Sequence, residues 1–221
     1  MANWEIVDNF LSKEDFEKIL SVIPDKITDD IPDNAVKIYP HEIDKTNTAS
    51  GNLLSEDLIK TLKNNYHEKA LNILRKLNPK KVELYDFSEF SVVRSGKNAV
   101  FPIHDDTPDK ILTGAIYLYP EKNIGTTVYS NCKWWFGWYG EEENKRTVEW
   151  KQNRAVFFSR KERESWHSYE SDGLSSRFVL TYKFKTKRLK DVFKVEDKSY
   201  LIGLFRFKIN PYLYRYFNFT I

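Results

Sequence analysis

The stretch Val100-Phe101-Pro102-Ile103-His104-Asp105-Asp106 places a histidine and two aspartates directly after a short apolar run. Because side chains at positions i and i+2 of an extended chain point to the same side, His104 and Asp106 are predicted to project together, with Asp105 turned away. An imidazole and a carboxylate at one strand end supply two of the three ligands of a facial triad for non-haem Fe(II). Since a His-x-Asp spacing is common by chance, the third ligand decides the hypothesis.

His167 is the best candidate for that third ligand. It lies in a strand-like context, whereas His67 falls within a predicted helix and His41 within a predicted loop. Ten residues after His167, beyond a turn signal at residues 172–173, comes Arg177. A hairpin at this turn is expected to bring Arg177 back toward the His167 strand. A buried arginine recognises a carboxylate bidentately, so the set combines metal ligands with an anion-binding group.

Two amphipathic helices precede this region. The first is predicted to begin after Ser12 as its N-cap and to end at Pro24. The second is predicted to begin after Ser55 and to end before Asn78-Pro79. The Pro- and Asp-rich connection over residues 29–51 is predicted to be mostly loop.

Downstream of the helices, short β-branched or aromatic runs alternate with turn signals. The runs are Val82 to Val93, Leu112 to Tyr119, Gly125 to Tyr129, Arg154 to Phe158 and Arg177 to Phe184. Helices followed by many short strands predict an α+β chain whose centre is a closed or double-sheet β structure.

The composition of the 221 residues bounds the class of protein. With 41% hydrophobic and 30% charged residues, wholesale disorder is excluded. A single cysteine, Cys132, excludes an internal disulfide and a cysteine-based zinc cluster, and it favours a reducing, cytoplasmic setting. The acidic start and the lack of an apolar run of ~18 residues predict neither a signal peptide nor a membrane span. The net charge of +3 is uneven, and the basic excess of residues 181–221 is predicted to be a solvated face.

Taken together, these runs resemble the successive core strands of the 2-oxoglutarate- and Fe(II)-dependent oxygenases, particularly the prolyl-4-hydroxylase-like branch. The resemblance is carried by His104-Asp105-Asp106 after residues 101–103, by the runs 112–119, 125–129 and 153–159, and by His167 with Arg177. It implies a double-stranded β-helix, or jelly-roll, core flanked by N-terminal helices. One domain of residues 1–190 would then carry a C-terminal extension, 191–221, that belongs to the same domain.

The resemblance also implies the roles of the candidate site residues. His104, Asp106 and His167 would hold Fe(II), and Arg177 would bind the far carboxylate of the cosubstrate 2-oxoglutarate. Arg177 would be assisted by a hydroxyl group, which is that of Tyr117, Tyr119 or Thr181. The implied reaction consumes O2, hydroxylates a peptidyl proline or a small metabolite, and releases succinate and CO2.

Other functions stay open at this point. Trp134, Trp135 and Trp138 stand between two strand runs and are predicted either to pack on the rim or to stack on a substrate. The chain could instead be a non-catalytic jelly-roll or cupin-like binding module. It could also be a nucleic-acid-directed oxygenase that uses the basic, aromatic residues 181–221. Nucleic acid is the less favoured partner, because the rings lie largely C-terminal to the densest charges at 183–190.

Overall fold

A computed structural model of the chain describes residues 4–26, 31–51, 53–129, 145–161 and 164–205. The elements follow one another as β1 (Trp4–Val7), α1 (Lys13–Lys26), β2 (Val36–Ile43), β3 (Ala49–Ser50), α2 (Glu56–Leu77), a 3-10 helix (Pro79–Leu84), β4 (Phe87–Ser95), β5 (Val100–His104), β6 (Lys110–Tyr119), β7 (Thr127–Tyr129), β8 (Lys145–Thr147), β9 (Ala155–Phe158), β10 (His167–Glu170), β11 (Arg177–Lys185), α3 (Leu189–Val195) and α4 (Tyr200–Leu204). None of the helices among these residues is long and apolar enough to cross a bilayer.

The strands form two sheets whose pairings are antiparallel. Within the described residues, the large sheet has the order β1-β9-β6-β11-β4-β2-β3 and the small sheet the order β5-β10-β7-β8. From β4 to β11 the chain passes back and forth between the two sheets, which is the winding of a double-stranded β-helix. The predicted fold class, an α+β chain with a jelly-roll core and N-terminal helices, is confirmed.

The two faces of the large sheet have different partners. Even-numbered residues of β11, such as Leu180 and Phe184, belong to the main core with α1 and α2. Odd-numbered residues face the other way, where Val179 packs with Val128 of β7 in a second core between the sheets. This alternation aims the odd-numbered side chains of β11 at the interior of the jelly roll.

The second helix begins and ends as predicted. The Ser55 side chain accepts a hydrogen bond from the backbone N–H of Leu58, which caps α2, and the helix ends at Leu77 before Asn78-Pro79. The first helix does not end at Pro24 but continues to Lys26. A proline removes only one backbone N–H, and two further helical residues follow it.

The prediction that residues 29–51 are mostly loop misses two strands, β2 and β3, which lie within this stretch. β2 pairs with β4 along its whole length, with Ile38 opposite Val93. Pro40 is tolerated because β3 pairs only with Glu42 and Ile43, so the other edge is open at position 40. The sequence also predicts that the first strand run begins at Val82. Residues 79–84 instead form a 3-10 helix that begins at Pro79.

The two histidines outside the candidate site, His41 and His67, have structural roles. His41 lies in β2, not in a loop, and its buried Nε2 accepts hydrogen bonds from the N–H groups of Leu53 and Leu54 at 3.1 and 2.9 Å. His41 therefore holds the backbone of the residues that directly precede α2. His67 is half-buried on α2 and packs against the ring of Tyr85, as a helix-packing residue.

Candidate metal centre

Three side chains converge where the two sheets meet. His104 ends β5, Asp106 follows it, and His167 begins β10 opposite His104. Their potential ligand atoms all lie within 4.8 Å of one another. Asp105, which was predicted to turn away, is not part of this group. His104 and Asp106 thus lie close together, as predicted, and strand pairing brings the distant histidine to them.

Both imidazoles are held through Nδ1. The Nδ1 of His104 lies 2.8 Å from the carbonyl oxygen of Pro102, and the Nδ1 of His167 lies 3.1 Å from that of Ser165. A carbonyl only accepts, so each Nδ1 carries a proton, and Nε2 is the ring nitrogen left to face a metal. This is the arrangement by which ligating histidines are oriented in metal sites.

The charge states of His167 and Asp106 also suit a cation. Burial, together with the neighbouring His104, lowers the pKa of His167 to about 4, so its imidazole is neutral at physiological pH. Burial acts to raise the pKa of Asp106, but the nearby Lys110 ammonium, together with the other groups around the carboxylate, holds that pKa well below its usual range. Two histidines and one carboxylate are the ligand types of a non-haem iron site.

Asp106 is itself positioned by neighbouring side chains. Lys110 donates to Oδ1 at 2.6 Å and Thr113 donates to Oδ2 at 2.8 Å. An ionised carboxylate has about four acceptor positions, so both contacts leave room for a metal ligand. Arg160, which is 1% exposed, donates from Nε to the backbone carbonyl of Asp106 at 3.2 Å.

Arg160 is in turn held by a buried group of charges. Its guanidinium pairs with Glu196 at the end of α3, and Lys81 of the 3-10 helix donates to the same carboxylate. The side chains of these three residues are fully buried. The end of α3 is therefore connected to the backbone of a candidate ligand through one arginine. Sequence reasoning missed this cluster, because its members come from three separate segments with no shared motif.

Arg177 lies in the same cavity as the three candidate ligands, a space of about 150 Å³ between the sheets. It is 6% exposed, and Tyr169 lies under its guanidinium, with the ring centroid 3.0 Å from Cζ. Its NH1 donates to the carbonyl of Ile124 at 3.1 Å, whereas Nε is buried without a hydrogen-bond partner. No carboxylate of the described residues lies within salt-bridge distance of it. Burial lowers the pKa of Arg177 to about 10.

The predicted route by which Arg177 reaches the site is wrong. No hairpin forms after His167, because β10 belongs to the small sheet and β11 to the large one. The chain crosses between the sheets at residues 171–176, and Arg177 faces the ligands across the interior. The juxtaposition was predicted correctly, but the turn signal at residues 172–173 does not distinguish a hairpin from a crossover.

The three hydroxyl groups considered as helpers of Arg177 are placed differently. Thr181 lines the cavity, and its Oγ1 donates to the carbonyl of Ser91 at 3.2 Å. Tyr117 is fully buried, and its hydroxyl accepts from the N–H of Thr126 at 2.7 Å. Tyr119 is 54% exposed at the end of β6. Of the three, Thr181 is the one that borders the cavity.

Two lysines in the cavity wall were not identified from the sequence. Lys110 and Lys183 both line it, and Lys183 is 9% exposed although it belongs to the segment predicted to be a solvated face. Odd-numbered residues of β11 share one face of the strand, so assigning Arg177 to the interior also assigns Lys183 to it. Trp134, Trp135 and Trp138 lie outside the described residues. Trp166, beside the candidate ligand His167, is buried in the core.

No protein-family model matches the sequence, and no curated protein matches it. Solved structures, in contrast, share its fold. A prolyl-4-hydroxylase from Pseudomonas putida aligns with a TM-score of 0.52 at 14% identity, over 84% of this chain and 93% of that one. A prolyl hydroxylase from Trichoplax adhaerens, solved with a peptide of a hypoxia inducible factor, aligns with a TM-score of 0.57 at 14% identity, over 85% and 86%.

A third similar structure is HygX from Streptomyces hygroscopicus, solved with nickel and 2-oxoglutarate bound. It aligns with a TM-score of 0.55 at 11% identity, over 84% of this chain and 83% of that one. At these identities the likeness shows the fold alone, which is the double-stranded β-helix of 2-oxoglutarate- and Fe(II)-dependent oxygenases.

Proposed function

We propose that this protein is an Fe(II)- and 2-oxoglutarate-dependent dioxygenase that hydroxylates a prime substrate and releases succinate and CO2. His104, Asp106 and His167 would hold the metal, and Arg177 would bind the far carboxylate of 2-oxoglutarate. The metal, when bound, supplies the activation of O2 and the oxidation chemistry. The protein residues orient the groups around it and exclude water.

The observation that carries this proposal is the pairing of two incomplete sites in one cavity. Three side chains of the right ligand types converge, and a buried guanidinium nearby has no carboxylate partner among the described residues. Burying an unpaired charge is costly, so such a cation is expected to meet an anionic ligand. A dicarboxylate that ligates a metal with one end and pairs with arginine at the other would complete both sites.

Each neighbouring group has a defined part in this proposal. Thr113 and Arg160 hold the side chain and backbone of Asp106, and the carbonyls of residues 102 and 165 fix the histidine tautomers. Thr181 is the hydroxyl that we propose to assist Arg177, because it borders the cavity. Tyr117 and Tyr119 are not included in this role.

The prime substrate is proposed at the level of its class, as a small molecule or a peptidyl group. The prolyl-4-hydroxylase-like branch is supported by the sequence resemblance and by prolyl hydroxylases among the proteins of similar fold. Peptidyl proline and a small metabolite are therefore both candidates. A metal-binding module without turnover is the alternative outcome of the test.

The test is turnover of 2-oxoglutarate by the metal-loaded protein. Purified protein with Fe(II), ascorbate and 2-oxoglutarate in air is expected to form succinate, slowly in the absence of a prime substrate. His167→Ala should abolish succinate formation, whereas the control His67→Ala, which lies on α2 away from the cavity, should retain it. Folded protein that binds Fe(II) and 2-oxoglutarate but forms no succinate with any tested substrate class would identify a binding module instead.

A further inference from the structure

The interior row of β11 carries a cation at each end of the cavity. Strand residues rise about 3.4 Å each, so Lys183 lies about 20 Å along the strand from Arg177. Lys183 is opposite Thr113, whose hydroxyl donates to Asp106. Arg177 therefore marks one end of the cavity, and Lys183 marks the end at the candidate metal ligands.

A second lysine reaches the same end from β6. Lys110 lines the cavity together with Lys183, and its ammonium lies 2.6 Å from Asp106 Oδ1. Two lysines thus border the candidate metal position on the side away from Arg177. Neither is needed for the cosubstrate in the proposed function, since Arg177 would bind its far carboxylate.

Lys183 can change partners without leaving a charge unpaired. Its ammonium contacts Glu89 of β4 and lies 3.4 Å from Ser91 Oγ. Glu89 also accepts from Lys185 at 3.1 Å and from Ser91 Oγ at 2.9 Å. If Lys183 turned toward a ligand, Glu89 would keep two donors.

The local charge count favours an anion at this end. The cluster contains Lys110, Lys183 and Lys185 with Asp106, Glu89 and Asp109, so its charges balance as it stands. A divalent metal would add two positive charges, and the metal-binding carboxylate of 2-oxoglutarate would compensate one of them. One positive charge is then left in a partly buried space, where electrostatic attraction is stronger than in water.

We propose that Lys183 and Lys110 form a subsite for a carboxylate of the prime substrate, on the side of the metal away from Arg177. This inference rests on the proposed function and deepens it, because it restricts the prime substrate to molecules that carry a carboxylate close to the oxidised carbon. The single unmatched charge favours a carboxylate over a phosphate dianion. Glu89 is the internal partner that Lys183 gives up when the substrate binds.

The test uses trifluoroacetate as the probe, observed by fluorine NMR. The protein is loaded with Mn(II) and saturated with 2-oxoglutarate, so that a bound probe near the metal shows enhanced relaxation. Binding of Mn(II) and of 2-oxoglutarate is first measured in the same samples by water-proton relaxation. Neutral trifluoroethanol serves as the control for non-specific binding.

The wild-type protein is expected to enhance trifluoroacetate relaxation but not that of trifluoroethanol. Lys183→Met should weaken probe binding at least tenfold, and Lys183→Arg should retain it. Glu89→Gln should strengthen binding severalfold, because Lys183 loses the negative charge of its internal partner. The control Lys187→Met, at an exposed position beyond the end of β11, should have no effect.

Three results would overturn the subsite. The first is that the wild-type protein does not enhance trifluoroacetate relaxation. The second is that trifluoroacetate still binds to Lys183→Met, through coordination to the metal alone. The third is that Glu89→Gln binds trifluoroacetate no more tightly than the wild-type protein. If Mn(II) and 2-oxoglutarate bind while one of these results is found, the subsite alone fails. If Mn(II) or 2-oxoglutarate does not bind, the proposed function fails and the subsite with it.

Discussion

Replacing Arg177 with methionine should stabilise the ligand-free protein. The guanidinium is 6% exposed, and burial lowers its pKa from 12.5 to about 10. One pKa unit corresponds to about 1.4 kcal/mol, so keeping this cation charged costs the folded state about 3 kcal/mol at neutral pH. Methionine fills much of the same space without a charge. It loses the contact with the Tyr169 ring and the hydrogen bond to the Ile124 carbonyl, together worth about 2 kcal/mol, so the net gain is about 1 kcal/mol.

The same substitution should weaken 2-oxoglutarate binding. Truncating one partner of a buried, hydrogen-bonded charge pair costs about 2–5 kcal/mol, and 3 kcal/mol corresponds to roughly 150-fold in affinity. The two effects have opposite signs because the cation is unpaired in the fold and paired in the complex. Scanning calorimetry should show a melting temperature higher by about 2–4 °C, and titration calorimetry of the Mn(II)-loaded protein should show the loss of affinity.

Arg188→Met is the matched control, since Arg188 is exposed and pairs with Asp86 at 3.4 Å. It should change neither the melting temperature by more than about 1 °C nor the affinity for 2-oxoglutarate. A lower melting temperature of Arg177→Met together with unchanged 2-oxoglutarate affinity would refute the reasoning. Arg177 would then be a structural residue whose charge is satisfied within the protein.

Three further predictions concern other charges and hydrogen bonds. Burial alone would raise the pKa of Glu89, but two neighbouring lysines lower it to about 2, so its stabilising effect is complete above pH 4.5 and is lost as the pH falls toward 2. Urea denaturation should show that Glu89→Gln removes about 2 kcal/mol of this pH dependence, allowing for partial solvent screening, and an unchanged profile would contradict it. Glu196→Ala should destabilise the protein by about 3–5 kcal/mol and weaken Mn(II) binding about tenfold, because Arg160 is no longer held against the Asp106 carbonyl; unchanged metal affinity would limit Glu196 to a structural role. His41→Leu should cost about 2–3 kcal/mol in denaturant titrations, since two buried N–H groups lose their acceptor, while Mn(II) affinity is unchanged if His41 is purely structural.

The proximity of His104 and Asp106 could be predicted because it depends on a local rule. Side chains two residues apart share a face of an extended chain, which joins His104 to Asp106. The apolar runs that carry His167 and Arg177 are strong strand signals, and strands of this kind fill the core of a jelly roll. The amphipathic stripe and the Ser55 cap likewise predict α2 correctly.

The features that were missed depend on tertiary contacts. Pro40 weakens the strand signal of β2, whose pairing with β4 is a long-range contact that the local sequence does not show. Lysine side chains are usually exposed, and only the position of Lys183 on the inner face of β11 shows that it is buried. The contact of Arg160 with Asp106 joins residues 54 positions apart. Such pairs cannot be read from spacing, because no periodicity connects them.

The C-terminal extension was expected to belong to the same domain as residues 1–190. We propose that it does, over the part of it that the structure describes, because Glu196 is buried against Lys81 and Arg160. The basic and aromatic residues from 206 onward lie outside the described residues. A nucleic-acid role for them is a separate hypothesis, which salt-dependent binding to single-stranded nucleic acid would test.

The central claim is that one cavity binds Fe(II) through His104, Asp106 and His167 and binds 2-oxoglutarate through the metal and Arg177. Its most direct test is anaerobic titration of the Fe(II)-loaded protein with 2-oxoglutarate, followed by the visible metal-to-ligand charge-transfer band. We predict a band in the wild-type protein, no band in His167→Ala, and a band in Arg177→Met that requires roughly 150 times more 2-oxoglutarate. Folded wild-type protein that binds Fe(II) but develops no band at any 2-oxoglutarate concentration would contradict the claim.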